Sequence, residues 1–266
     1  MDKKVLKTRV ITGLIFGFFV IGSFLFGIVT TLFLLVTIGF GCTKEYLQIT
    51  KKSNQIIIGI GSVLFLMVAA GFYFVKLDDT FIYRLLVCNA FLFLISLIHL
   101  WKPFINHNRY YSVICLFYTI LPVSIAMREL NVHREYSMIL LGVLFLIWAS
   151  DSGAYFAGSW WGKHKLFERI SPKKTWEGLI GGGILTLVVS VLTAYLFPEI
   201  SMYKWMWISL VVWVMGTFGD LMESAIKRQY SIKDSGSILP GHGGFLDRFD
   251  SFIYVLPFVL LIIFYL

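Results

Sequence analysis

Charge is scarce in this chain. Of its 266 residues only 14% are Asp, Glu, Lys or Arg, while 58% are hydrophobic and the mean hydropathy is +0.81. A soluble domain carries about 25% charged residues. The polar surface needed to wrap a water-soluble globule is missing, and an integral membrane protein is the class that remains. Cysteine is scarce too: Cys42, Cys88 and Cys115 stand far apart in apolar runs. That spacing excludes a clustered thiolate metal site, and an odd count argues against a disulfide framework. All three are expected to be small buried hydrophobes, so any metal would be a hard ion held by carboxylate oxygen. His99, His107, His133 and His164 are scattered without helical pairing and are not read as ligands. Internal repeats and low-complexity tracts are absent.

What the chain does have is long apolar runs. A spanning helix needs about 20 largely apolar residues. The run from Val10 to Cys42 holds 33 residues without a charge, too many for one span, and Gly27 near its middle predicts two helices joined by a tight turn. Further spans are predicted at roughly 55–75, 80–101, 111–127, 136–158, 178–198, 204–224 and 251–266. The resulting fold class is all-α and polytopic, with about nine transmembrane helices. Five spans fall in 1–135 and four in 136–266, the latter with the polar loops. The charged start followed by an apolar run lacks a small-residue cleavage site and reads as a retained first span. Glycines spaced as Gly13/Gly17 and Gly178/Gly182 are read as helix-packing features.

The net charge of +8 does not point to nucleic acid once its placement is considered. With the N-terminus cytoplasmic, the inside segments 1–9, 43–54, 102–110, 159–177 and 225–250 hold 18 of the 23 Lys and Arg residues. The positive-inside rule therefore selects N-terminus in and C-terminus out. Asp78-Asp79 reads as a solvated loop end on the other side.

Two inside segments carry chemistry. In the first, Asp151 interrupts the sixth span with Tyr155 four residues on. An ionisable group within a span is costly unless paired or facing a cavity, so it marks function by default. Downstream, Ser171-Pro172-Lys173-Lys174-Thr175-Trp176-Glu177-Gly178 combines a proline, two lysines, a hydroxyl and a glycine entering a helix. Such a segment suits a phosphate cradle. The second segment runs from Phe218 to Asp250. Asp220, Glu223, Ser224 and Lys227 fall at i, i+3, i+4 and i+7, one polar stripe on a helix. Lys233-Asp234 and the turn Pro240-Gly241-His242-Gly243-Gly244 follow, and then Asp247, Arg248 and Asp250 lead into the last span. Carboxylates at both membrane-embedded edges of a lysine-rich loop suit a divalent cation bridging phosphate oxygens.

These residues resemble a known family. Ser224-Ala225-Ile226-Lys227-Arg228, Lys233-Asp234, Leu239 to Gly244 and Asp247-Arg248-Phe249-Asp250 look like the signature of the phosphatidate cytidylyltransferases, or CDP-diacylglycerol synthases. Gly219-Asp220 and Ser171–Gly178 extend the likeness, which is strongest from Asp151 onward. The resemblance implies that CTP and phosphatidate give CDP-diacylglycerol and pyrophosphate, a committed step of phospholipid biosynthesis. It implies Mg²⁺, with room for a monovalent cation such as K⁺; the short N-terminus points to a bacterial cell membrane, and the charge asymmetry puts the active site on the cytoplasmic face. The resemblance admits a homodimer and implies no nucleic-acid partner. Carried over residue by residue, Asp220, Asp247 and Glu223 are expected to hold metal, and Asp220, Asp247, Lys227 and Ser224 to form the catalytic group. Ser171, Lys173, Lys174, Thr175, Glu177, Arg228, Lys233, His242, Gly243, Gly244, Arg248 and Asp151 are expected to bind substrate. The competing class is an ion-coupled transporter, for which intramembrane Asp151 and Asp220 would serve an ion path. The crowding of polar residues into the C-terminal half favours the enzyme. A lipid phosphotransferase that uses a CDP-activated substrate is disfavoured, because no Asp-Gly-x-x-Ala-Arg motif is present.

Overall fold

The computed structural model describes residues 3–50, 55–101, 116–236, 238 and 243–265. Cys115, His107 and most of the Leu239–Gly244 turn, His242 included, lie outside the described residues. The described chain is almost entirely helical. In order it forms α1 (Lys3–Leu25), α2 (Ile28–Thr50), α3 (Gln55–Phe74), α4 (Asp79–Ser96), a π turn (Leu116–Ile120) leading into α5 (Leu121–Val132), and α6 (Tyr136–Trp161). A hairpin of β1 (Lys165–Phe167) and β2 (Ser171–Thr175) follows. Then come α7 (Trp176–Leu196), α8 (Met202–Val211), a second π turn (Val212–Gly216), α9 (Thr217–Gln229) and α10 (Leu246–Tyr265).

Among the described residues seven helices are long and apolar enough to cross a membrane, and a shorter apolar stretch covers Ile11–Leu25. Large apolar side chains stand exposed along them, such as Phe18 at 79%, Phe26 at 82% and Met67 at 68%. A soluble protein would not leave such surface to water, but the hydrocarbon of a bilayer accepts it. The chain is a multi-pass membrane protein.

The chain forms two compact units. The first gathers α1, α2, α3, α5 and the stretch Ile226–Asp250. Gly27 sits between α1 and α2 with φ +112°, a backbone state that glycine adopts without strain, so the expected break falls on that residue. Thr30 Oγ1 donates across it to the Ser23 carbonyl at 2.7 Å. α2 meets α3 and α5 closely: a Cβ on Gly39 would collide with the Phe65 ring, and Thr43 and Thr119 share a buried hydrogen bond of 2.9 Å. Pro122 lies in the first turn of α5, where its missing N–H breaks no helical bond. Asp78 and Asp79 are both exposed, as expected of a solvated loop end, and Asp79 also makes an ion pair. Asp79 accepts from the buried Arg128 guanidinium at 2.5 Å, and Arg128 also bonds Glu129 and the Leu77 carbonyl. Burial pushes the Glu129 carboxyl above its ordinary range, against the pull of Arg128.

The second unit holds most of α4, α6, the hairpin, α7, α8, the start of α9 and the body of α10. Phe93 stacks on Tyr254 with ring centroids 4.3 Å apart, and the Tyr254 hydroxyl donates to the Phe93 carbonyl at 2.7 Å. α6 and α7 cross at small residues. A Cβ on Gly182 would stand 2.8 Å from the Ser150 carbonyl, and one on Gly178 would stand 2.9 Å from that of Ala154. The Gly178/Gly182 pair is thus a packing feature as expected, whereas Gly17 has nothing within 4 Å of its Cβ position. Cys88 is exposed while Cys42 is buried, so the expected burial of every cysteine is corrected for Cys88. A thiol facing lipid loses no more than one facing a protein core.

Candidate active site

In the second unit the site grows from the first turns of α9. Glycine and small residues give way there to Asp220, Glu223 and Ser224, spaced to share a face. The Ser224 hydroxyl donates to Asp220 Oδ1 at 3.3 Å. Carboxylate oxygens of Asp220 and Glu223 lie within 4.8 Å of one another, and Glu223 is buried. From the hairpin, Lys174 Nζ reaches Asp220 Oδ2 at 2.5 Å and the Thr217 carbonyl at 3.5 Å. The lysine-rich segment and the acidic helix, 46 positions apart in sequence, therefore meet through a direct ion pair.

Local chemistry explains the hairpin. β1 and β2 pair antiparallel from Lys165 opposite Thr175 to Phe167 opposite Ser171. Thr175 ends β2 in an extended conformation and caps α7, its hydroxyl accepting from Gly178 N at 3.1 Å. Glu177 folds back to accept from the backbone N–H groups of Lys163 and His164, and its Oε1 lies 2.6 Å from His164 Nδ1. His164, set aside by the sequence reading, thus belongs to the hairpin's scaffold. Thr175→Ala should cost about 1 kcal/mol of stability by removing the cap. A lowered melting temperature of the detergent-solubilised protein, restored by Thr175→Ser, is the expected result.

In the first unit a second polar cluster forms where α9 ends and α10 begins. Lys227 Nζ donates to Asp247 Oδ1 at 2.6 Å, with both side chains nearly buried. Asp247 Oδ2 accepts from Ser235 N at 2.8 Å and from Gly244 N at 2.8 Å, and Ser235 Oγ lies 3.0 Å from it. Gly243 has φ +83°, and a Cβ there would strike the Asp247 carboxylate, so the backbone approaches this side chain closely. One member was not anticipated. Glu45 of α2, only 1% exposed, accepts from Phe245 N, Leu246 N and Ser235 Oγ. In the sequence it is a lone acid in a charged inside segment, with no spacing to distinguish it from a solvated one.

Asp151, Lys173, Arg228, Lys233 and Arg248 are exposed, and Ser171 is half-buried. Arg228 reaches back to the Ile232 carbonyl at 3.2 Å.

A cytidylyltransferase family model matches residues 7–266, nearly the whole chain, and so covers both clusters. The chain belongs to the cytidylyltransferase family. Among its curated relatives, a phosphatidate cytidylyltransferase of Bacillus subtilis (strain 168) is 52% identical over 116 residues, 43% of each chain. One of Staphylococcus aureus (strain COL) is 48% identical over 120 residues, 44% of this chain and 46% of the relative. One of Staphylococcus haemolyticus (strain JCSC1435) is 47% identical over 120 residues. The chain thus spans less than half the length of the curated relatives it matches. Membership of that family makes the acidic and basic groups of this chain candidates for handling phosphate.

Proposed function

We propose that this protein is a phosphatidate cytidylyltransferase, making CDP-diacylglycerol and pyrophosphate from CTP and phosphatidate at the cytoplasmic face of a bacterial cell membrane. The observation that carries the reading is the Lys174–Asp220 pair, which joins a phosphate-type cation to the acidic stripe of α9. The names of the relatives and the positive-inside charge distribution support it. The same distribution supports about nine spans with the N-terminus inside.

The chemistry asks little of a general base. The nucleophile is a phosphate monoester oxygen, already anionic near neutral pH. It forms a new bond to the α-phosphorus of CTP, the bond from that phosphorus to its bridging oxygen breaks, and pyrophosphate leaves with the electron pair. The obstacle is repulsion between two anions, so catalysis is positioning and electrostatics. Lys174 and Lys227 are held in place by carboxylates; Lys173, Arg228, Lys233 and Arg248 extend from the surface to gather phosphates. Thr175 and Glu177 brace the hairpin that presents the lysines. Asp220 and Glu223 present adjacent hard oxygen donors, one of them buried, a set that fits Mg²⁺; the family resemblance gives Asp247 the same role. A divalent ion bound there supplies charge neutralisation on phosphate oxygens. K⁺ at the same centre, a homodimer, and nucleotide contacts by Asp151, Ser171, His242, Gly243 and Gly244 complete the proposal.

Purified protein in lipid nanodiscs, given radiolabelled CTP, phosphatidate and Mg²⁺, should form lipid-linked CMP with equimolar pyrophosphate. Chelation by EDTA should stop product formation, and restored Mg²⁺ should return it. No lipid-linked product at any metal concentration rejects the reading, and ion flux in its place would favour a transporter.

A further inference from the structure

Glu45 presents a problem that the reaction above does not solve. A carboxylate at 1% exposure in an apolar helix is costly unless hydrogen bonds satisfy it. Its partners are specific. Oε1 accepts from Phe245 N at 3.0 Å; Oε2 accepts from Leu246 N at 2.9 Å and from Ser235 Oγ at 2.8 Å. Leu246 opens α10 and Phe245 stands just before it, where the first N–H groups have no partner inside the helix and where the helix dipole favours negative charge. The other free donors of that turn are also accounted for. Gly244 N goes to Asp247 Oδ2, and Asp247 N goes to Ser235 Oγ at 3.3 Å. Ser235 thereby lies between two carboxylates, Glu45 Oε2 and Asp247 Oδ2.

The surrounding glycines fit this arrangement. A Cβ on Gly236 would stand 2.6 Å from Glu45 Oε1, and one on Gly244 would collide with Oε2 and with Ser235 Oγ. One turn before Glu45 on α2, a Cβ on Gly41 would press on the Phe245 ring at 2.9 Å. α2 thus offers a socket with two parts, a gap at Gly41 for the ring and a carboxylate at Glu45 for the backbone.

We infer that Glu45 is a positioning residue for the transfer reaction: it caps α10 from another helix and, through Ser235, fixes the Asp247 carboxylate that holds Lys227. The inference rests on the cytidylyltransferase reading. It gives the N-terminal helices a part in the site that the sequence motifs leave entirely to the C-terminal half.

In Glu45→Gln one acceptor oxygen becomes an NH₂ donor facing a backbone N–H, with size almost unchanged. The expected result is a kcat for CTP-dependent product about 10- to 100-fold lower, the range for a small displacement of reacting groups. KM for CTP should change by less than about threefold, the pattern of an interaction needed only in the transition state. Hydrogen exchange should accelerate at the Phe245 and Leu246 amides and not along Val255 to Ile263. Wild-type kcat in this variant, or equal acceleration along all of α10, overturns the inference. If Glu45→Gln does not accumulate, Gly236→Ala decides, because its Cβ would stand 2.6 Å from Glu45 Oε1 and so displaces the carboxylate while keeping its charge. The same kcat loss with local exchange supports the inference, and wild-type behaviour overturns it. A wild-type protein without CTP-dependent activity would instead refute the reaction itself, and with it any part played by Glu45. An active wild type beside an equally active Glu45→Gln refutes only the positioning role.

Discussion

Asp220→Asn should lower CTP-dependent product formation by about 10³-fold or more while leaving the fold intact. The two halves of that expectation have separate causes. Asp220 is 37% exposed at its side chain and Lys174 is 26% exposed, so their ion pair contributes only about 0–1 kcal/mol to stability. Asn keeps the size and one acceptor for the Ser224 hydroxyl. What it removes is a negative oxygen from the Asp220–Glu223 pair, and with it part of the charge that would hold the proposed divalent ion. A metal ion contributes several kcal/mol to the transition state of phosphoryl-type transfer, and about 4 kcal/mol corresponds to 10³-fold in rate. Calorimetry of Mg²⁺ binding beside the radiolabel assay checks both halves. Unchanged activity, or unchanged Mg²⁺ affinity, would remove Asp220 from the metal centre.

Asp247→Asn should damage both stability and activity, and the contrast with Asp220 is diagnostic. Lys227 and Asp247 expose only 11% and 8% of their side chains. Neutralising the acid leaves an ammonium group buried without its partner, a change that costs about 3–5 kcal/mol. The Ser235 and Gly244 N–H groups also face a weaker acceptor. The double variant Lys227→Met/Asp247→Asn separates the effects. It should regain most of the lost thermal stability, because no uncompensated charge remains, and should stay inactive, because both proposed catalytic groups are gone. Recovery of activity in the double variant would show that Lys227–Asp247 is a structural pair only.

Much of this protein is legible in one dimension because a bilayer imposes one-dimensional rules. A span must be long, apolar and internally hydrogen-bonded, so helices appear at the apolar runs and the first long run breaks at Gly27. The stripe at Asp220, Glu223 and Ser224 was readable for a similar reason: spacing along a helix is spacing on its face. The hairpin was not readable, since strand pairing between Lys165–Phe167 and Ser171–Thr175 depends on a polar loop folding on itself. Nor did sequence show that Thr175 and Glu177 spend their polar atoms on capping and on backbone N–H groups. An alternative use of a side chain leaves no mark in residue type.

By itself, then, the sequence determined the membrane class, the helical periodicity, the segments in which ionisable groups gather, and the family they resemble. Those properties follow from composition and from intervals of a few residues. Only the tertiary structure decided which charges meet. Lys174 reaches Asp220 from 46 positions away, and Glu45 reaches Leu246 across 201. Contacts of that range are set by how helices pack at particular glycines, not by local preference. A lone buried glutamate and a lone solvated one look alike until the chain has folded around them.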